Sequence, residues 1–146
     1  MTGKFFIREV DTADSEISET IEKLHRITLR EDEVPDLLRG HWWLVYNGVG
    51  QAVGYCGLYP SYRYANAGYL IRAGVAAKHR GNGLQKRMIR VREAKARRLG
   101  WDWLFSDTCE NPASANSLAA CGFRMFEPKL PWNSNHKLAL YWRKRL

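Results

Sequence analysis

A chain of 146 residues, 45% hydrophobic and 26% charged, is long enough to bury a core and too apolar for a disordered segment. No apolar run approaches the roughly 20 residues of a membrane helix, and MTGKFFIREVDTAD lacks the apolar stretch of a secretory leader, so a cytoplasmic protein is expected. The net charge of +8 is local: nine Lys and Arg residues between Lys78 and Arg98 face Glu93 alone, while residues 1–40 carry ten acids against six bases, a patch that favours a phosphate-rich ligand.

No repeat, low-complexity tract or linker interrupts the chain, so residues 1–146 read as a single domain. KFFIREV gives a first strand, Phe5 to Val10. SEISETIEKLHRITLRE places Ile17, Ile21, Leu24 and Thr28 near helical spacing, and DEVPDLLRG reads as a short second helix ending at Gly40. HWWLVYNGVGQAVGYCGLY is a hairpin, two apolar runs around Asn47-Gly48. GYLIRAGVA supplies a fourth strand, and after a glycine-containing loop a third helix runs from Leu84 to Leu99, with Leu84, Met88, Val91 and Leu99 along one face. WDWLFSDT is a short strand of the kind that follows a helix in a βαβ unit. NPASANSLAACGF has a proline near its start and Gly122 just past its end, the stop signals of a fourth helix. FRMFEP and HKLALYWRKRL complete the order β-α-α-β-β-β-α-β-α-β-β, an α+β or mixed α/β domain. Cys56, Cys109 and Cys121 are odd in number and show no metal-ligand spacing, in keeping with reduced thiols.

The strand ending at Val75, the loop with Gly81 and Gly83, and the helix that starts at once form a device for holding phosphate. Glycines let successive N–H groups curl toward one concavity, and the helix start adds orphan N–H groups and a positive dipole end. No Gly-x-x-x-x-Gly-Lys-Ser/Thr is present, which excludes a nucleotide triphosphatase loop. No acid ends a following strand as in a dinucleotide fold.

Val75-Ala-Ala-Lys-His-Arg80-Gly81-Asn82-Gly83-Leu84, between strand four and the third helix, resembles the acyl-CoA pyrophosphate loop of the GNAT acyltransferase superfamily, Gln/Arg-x-x-Gly-x-Gly/Ala. Lys78 stands where the family often has Gln or Arg, and Gln85 replaces a frequent third glycine. Asn111, the SANSLAA helix and Cys121-Gly122-Phe123 are similar to the family's Asn-x-x-(Ala/Ser)…Gly-Phe segment. The resemblance implies a central, mostly antiparallel sheet with splayed strands four and five, helices on both faces, and acetyl-CoA as cofactor. It assigns the diphosphate to Lys78, Arg80, Gly81, Asn82, Gly83 and Leu84, with Lys86 and Arg87 nearby. The pantetheine arm falls to the backbone of Ala73 and Val75 and to the side chain of Asn111, and Gly74 is the expected site of a strand bulge.

Acyl transfer from a thioester to an amine requires that the amine lose a proton, the carbonyl be polarised and the thiolate be reprotonated. The family's usual acid, a Tyr four residues before the Gly-Phe glycine, is Leu118 here; Ser117 and Tyr141 are the alternatives. The strand-four Glu often used as base corresponds to a position close to Tyr69, and no carboxylate lies between Asp36 and Glu93. His41, Tyr59 and Asp107 are instead expected to converge, either as a base with orienting partners or as an iron site, an arrangement loosely similar to phage Mom-like DNA-modifying members of the superfamily. Trp42, Trp43, Tyr59, Tyr62, Tyr64 and Trp132 fall in segments expected to border the acceptor, suiting nucleobases or an apolar pocket, as does the loop PKLPWNSNHK. Three activities fit: an N-acetyltransferase acting on a primary amine, a DNA-base-modifying enzyme, and a catalytically silent binder of CoA or nucleic acid. A monomer and a homodimer fit the sequence equally.

Overall fold

The computed structural model describes residues 4–133 and 138–146. In chain order the elements are β1 (Phe6–Val10), α1 (Ser15–Thr28), β2 (His41–Tyr46), β3 (Ala52–Pro60), β4 (Ala67–Val75), α2 (Leu84–Arg98), β5 (Trp103–Cys109), α3 (Pro112–Ala120), β6 (Arg124–Phe126) and β7 (Ala139–Arg145). The strands hydrogen-bond in the order β1-β2-β3-β4-β5-β7-β6, with β4 and β5 parallel and the pairs β1–β2, β2–β3, β5–β7 and β6–β7 antiparallel. The mixed α/β class and mostly antiparallel sheet expected from the sequence are present. No helix among the described residues is long and apolar enough to cross a membrane. The chain divides into two compact units: the first comprises the residues up to Tyr59 with Ile71–Leu84, the second Pro60–Leu70 with Gln85–Leu146.

In the first unit α1 starts where Asp14 caps it, its carboxylate accepting the Glu16 amide at 2.9 Å. Its inner face buries Ile21 and Leu24 in a cluster with Leu37, Trp42, Leu44, Tyr55 and Tyr59. His25, 1% exposed, lies 2.5 Å from the Tyr55 hydroxyl through Nδ1 and 2.9 Å from the Asp32 carbonyl through Nε2. A carbonyl only accepts, so Nε2 carries a proton.

The second helix expected over Asp32 to Gly40 does not form; that segment is an irregular loop. Side chains from other elements take the carbonyls a helix would use. His25 takes that of Asp32, Arg72 that of Glu33, the Tyr59 hydroxyl that of Asp36, Thr12 that of Leu37 and the Trp42 indole that of Arg39. Pro35 in addition has no N–H to donate. The hairpin also differs from the expected two-residue turn. Asn47 Oδ1 accepts the amides of Val49 and Gln51, and the positive φ falls on Gly50 (81°) rather than Gly48, making a longer loop.

In the second unit α2 buries Met88, Ile89 and Ala96. Glu93 takes Arg97 Nη1 at 2.7 Å and Lys144 Nζ at 2.6 Å, and the same ammonium donates to the Cys121 carbonyl at 2.8 Å, so Lys144 ties β7 to α2 and to the end of α3. Gly122, at φ 90°, ends α3 as expected. Cys56, Cys109 and Cys121 form no disulfide among the described residues.

Candidate functional site

The glycine loop lies wholly in the first unit. After β4 a single 3₁₀ turn, Ala77–His79, uses the amides of His79 and Arg80 internally, on the carbonyls of Ala76 and Ala77. Gly81 (φ 81°) and Gly83 (φ 70°) then adopt the left-handed backbone, and a Cβ built on either meets no atom within 4 Å. Conformation, not crowding, therefore demands glycine at both positions. Asn82 Nδ2 donates to the His79 carbonyl at 2.9 Å and Arg80 Nε to the Val75 carbonyl at 3.2 Å, so both side chains brace the curl from within. Leu84, 3% exposed, anchors the helix start, whose first N–H groups have no intrahelical acceptor.

β4 carries a backbone irregularity, two residues earlier than expected. Arg72 has φ 42°, whereas Gly74 lies outside the left-handed region. Gly74 answers a different need, because a Cβ there would sit 2.2 Å from Thr28 Oγ1 and 3.0 Å from Tyr55 Cε1. Glycine lets α1 close onto the strand. Ala73 is half-buried and Val75 buried.

His41 opens β2 in register with Leu58 and is half-buried. Tyr59, 8% exposed, gives its hydroxyl to the Asp36 carbonyl at 2.7 Å beneath the Arg39 guanidinium. Burial, with the nearby Asp36 charge, pushes its phenol above the usual range against the opposing pull of Arg39. Trp42 and Trp43, at 1% and 3% exposure, are core residues.

In the second unit Asp107 has partners that its spacing did not suggest. Tyr69 donates to Oδ1 at 2.8 Å and the Trp132 indole to Oδ2 at 2.7 Å. Tyr141 faces Asp107 in the β5–β7 register, packs against Trp132 at 4.5 Å and accepts the Asn133 amide at 3.1 Å. Tyr64 stacks on Phe105 at 4.0 Å, and Tyr62 is 79% exposed. Tyr69 belongs to this cluster although sequence reasoning did not select it, since only its place on strand four marked it. It is also the last residue of the β4–β5 register, which runs from Ala67↔Trp103 to Tyr69↔Phe105.

Asn111 caps α3, its Oδ1 accepting the Ser114 amide at 3.1 Å. Ser117 is half-buried on α3, and Leu118, 4% exposed, is a packing residue. Of the nine bases in the patch, Arg92 is 3% exposed and bonds the Met88 carbonyl, and Arg97 is paired with Glu93. Lys78, Lys86, Arg87 and Arg90 remain exposed around the loop and the first turns of α2. Among the described residues no group of three His, Cys, Asp or Glu is arranged to hold a metal ion, so the iron reading of His41, Tyr59 and Asp107 gains no support. The end of the expected acceptor loop, residues 134–137, and the first residues of the strand expected from His136 lie outside the described residues.

The sequence model of the Acetyltransferase (GNAT) family matches residues 7–123. No curated protein sequence matches the chain. Among solved structures the chain is similar to an IAA acetyltransferase from Bacillus cereus, at 17% identity over 98% of this chain and 100% of that one, with a TM-score of 0.76. It is similar to a chain of the NatC complex bound to Gag peptide and CoA, at 19% identity over 98% and 99%, TM-score 0.78. It is also similar to a Bacillus subtilis acetyltransferase in complex with CoA, at 16% identity over 98% and 99%, TM-score 0.74. At these identities the likeness is one of fold.

Proposed function

The chain belongs to the GNAT acetyltransferase family, and from that premise we propose that it is an acetyl-CoA-dependent N-acetyltransferase, a single catalytic domain that acylates a primary amine by direct attack. The observation that carries this reading is the loop from Arg80 to Leu84, with two glycines held at positive φ over open space at the start of a helix. Its main-chain amides are of the kind that receive a diphosphate. Lys78, Arg80, Gly81, Asn82, Gly83 and Leu84 hold that group, with Ala73, Val75 and Asn111 for the amides of the pantetheine arm.

In this mechanism the amine nitrogen attacks the thioester carbon. Its N–H proton passes to the Tyr69 oxygen as the Tyr69 proton moves to Asp107, the acceptor it already faces at 2.8 Å. The C–S bond breaks, and the thiolate takes a proton from Tyr141, with Ser117 as the second donor. Tyr59, its hydroxyl committed to a carbonyl and its ionisation disfavoured by burial, stays a phenol. Acetyl-CoA supplies the activated acyl group.

Calorimetric titration with CoA and a thiol-release assay with acetyl-CoA across a panel of amines test the proposal. The expected result is CoA binding at micromolar levels and amine-dependent thiol release. Absence of CoA binding overturns the reading, and binding without release for any amine leaves a silent carrier instead.

A further inference from the structure

Beside Asp107 and Tyr141 the second unit carries, on the same sheet face, a row of arginines and aromatic rings that the acyl-transfer reading does not use. Side chains alternate across a strand, and the registers Trp103↔Arg145, Phe105↔Arg143, Arg124↔Arg143 and Phe126↔Tyr141 place these residues on one face of β5, β7 and β6. The other face carries Leu104, Ser106, Thr108 and Trp142, all buried. Arg124, Arg143 and Arg145 are exposed. Arg143 lies 5.5 Å from the Trp103 ring centre and 4.6 Å from that of Phe126, and Arg145 lies 5.9 Å from Trp103.

Arg124 stands directly across from Arg143, and like charges so placed repel. Among the described residues no carboxylate forms an ion pair with any of the three arginines. The nearest acids along the chain, Asp102 and Glu127, are exposed and flank the strands. Asp107, further along the same face, is occupied by Tyr69 and Trp132. A row of guanidinium groups with no carboxylate partner among the described residues, beside the half-buried rings of Trp103 and Phe126, matches one kind of partner best. Guanidinium takes phosphate, and rings and guanidinium planes stack on unpaired bases. A duplex hides the faces of its bases, and neither a lipid headgroup nor an acidic peptide gives the rings a planar partner.

We propose that this arginine–aromatic face of β5, β7 and β6 binds single-stranded nucleic acid. The site shares no residue with the glycine loop, and its arginines and Trp103 take no part in the acyl-transfer steps, which use Asp107 and Tyr141 further along the face.

The test is fluorescence anisotropy with a labelled oligothymidylate and a labelled oligouridylate, each of about 12 nucleotides, titrated with the full chain between about 50 and 200 mM salt. The triple variant R124Q/R143Q/R145Q is compared with R8Q/K23Q/R30Q, which removes the same charge from exposed positions in the first unit. The expected result is saturable binding that the first variant weakens at least tenfold, with the salt slope falling by about 2 for three lost contacts at roughly 0.7 each. The second variant should change affinity less than threefold, and Trp103→Leu should weaken binding about tenfold without altering the salt slope. The two probes decide whether RNA or DNA is preferred. Equal losses in both triple variants, no binding of either probe at low salt, or tighter binding to duplex or to phosphatidylserine vesicles through the same arginines would overturn the proposal. Unchanged CoA affinity in the face variant, measured alongside, shows that a loss is not unfolding.

Discussion

The Tyr69 hydroxyl donates to Oδ1 of Asp107 at 2.8 Å, joining the last residue of β4 that pairs with β5 to the middle of β5. Asp107 receives the Trp132 indole on its other oxygen, so the carboxylate is fixed from two sides and the phenol is aimed by it. A proton arriving at the Tyr69 oxygen has a path onward. Tyr69→Phe and Asp107→Asn should each lower kcat by about 10²-fold with CoA affinity unchanged. Steady-state kinetics over pH, with CoA titration alongside, checks this, and full activity in both variants would remove the pair from the mechanism.

Gly81 and Gly83 sit at positive φ with open space around them, so alanine at either costs backbone strain of about 1–2 kcal/mol without a clash. Gly81→Ala and Gly83→Ala should weaken CoA binding about tenfold while the far parts of the fold keep their stability. Titration calorimetry and denaturant unfolding separate the two effects. Glutamate at either site, adding charge where the diphosphate would lie, should abolish binding.

Asn111 holds the start of α3 through Ser114 and is also the residue proposed to meet the pantetheine arm. The two roles can be separated. Asn111→Ala should cost about 1 kcal/mol of stability through the lost cap, and Asn111→Ser should restore it. If only the amide serves the cofactor, both variants should weaken CoA binding alike, read by the same calorimetric titration.

Burial would raise the Glu93 pKa, but hydrogen bonds and charges from Lys144 and Arg97 outweigh it and hold the carboxyl below its ordinary 4.5. A depressed folded-state value means stability that is present above about pH 4.5 and lost as pH falls through the folded value. Glu93→Gln should therefore lower stability at neutral pH by about 2 kcal/mol and flatten the acid limb below pH 4.5. Urea unfolding of both proteins between neutral and acid pH measures the difference.

The parts of this molecule legible in the sequence are those governed by neighbours along the chain. The glycine loop was one of them, because positive φ at Gly81 and Gly83 is a local demand. Both long helices and the ends of α3 followed from periodicity, a proline near the start and a terminal glycine. The segment from Asp32 to Gly40 was misread, since its helical spacing says nothing of His25, Tyr59 or Trp42 reaching in from elsewhere for its carbonyls. Gly74 was read as a bulge, although its neighbour Thr28 lies 46 positions away in sequence and only the packing of α1 reveals it.

By itself, then, the sequence determined the family's loop, the mixed α/β class and the local concentration of positive charge, all set by residue type and short-range spacing. Tertiary structure alone decided which groups meet. It gave Asp107 to Tyr69 and Trp132, sent Trp42 and Trp43 to the core, took Arg92 and Arg97 out of the basic patch and lined Arg124, Arg143 and Arg145 along one sheet face. Hydrogen bonds and strand registers between distant segments depend on how the sheet is assembled, and spacing along a chain does not encode that.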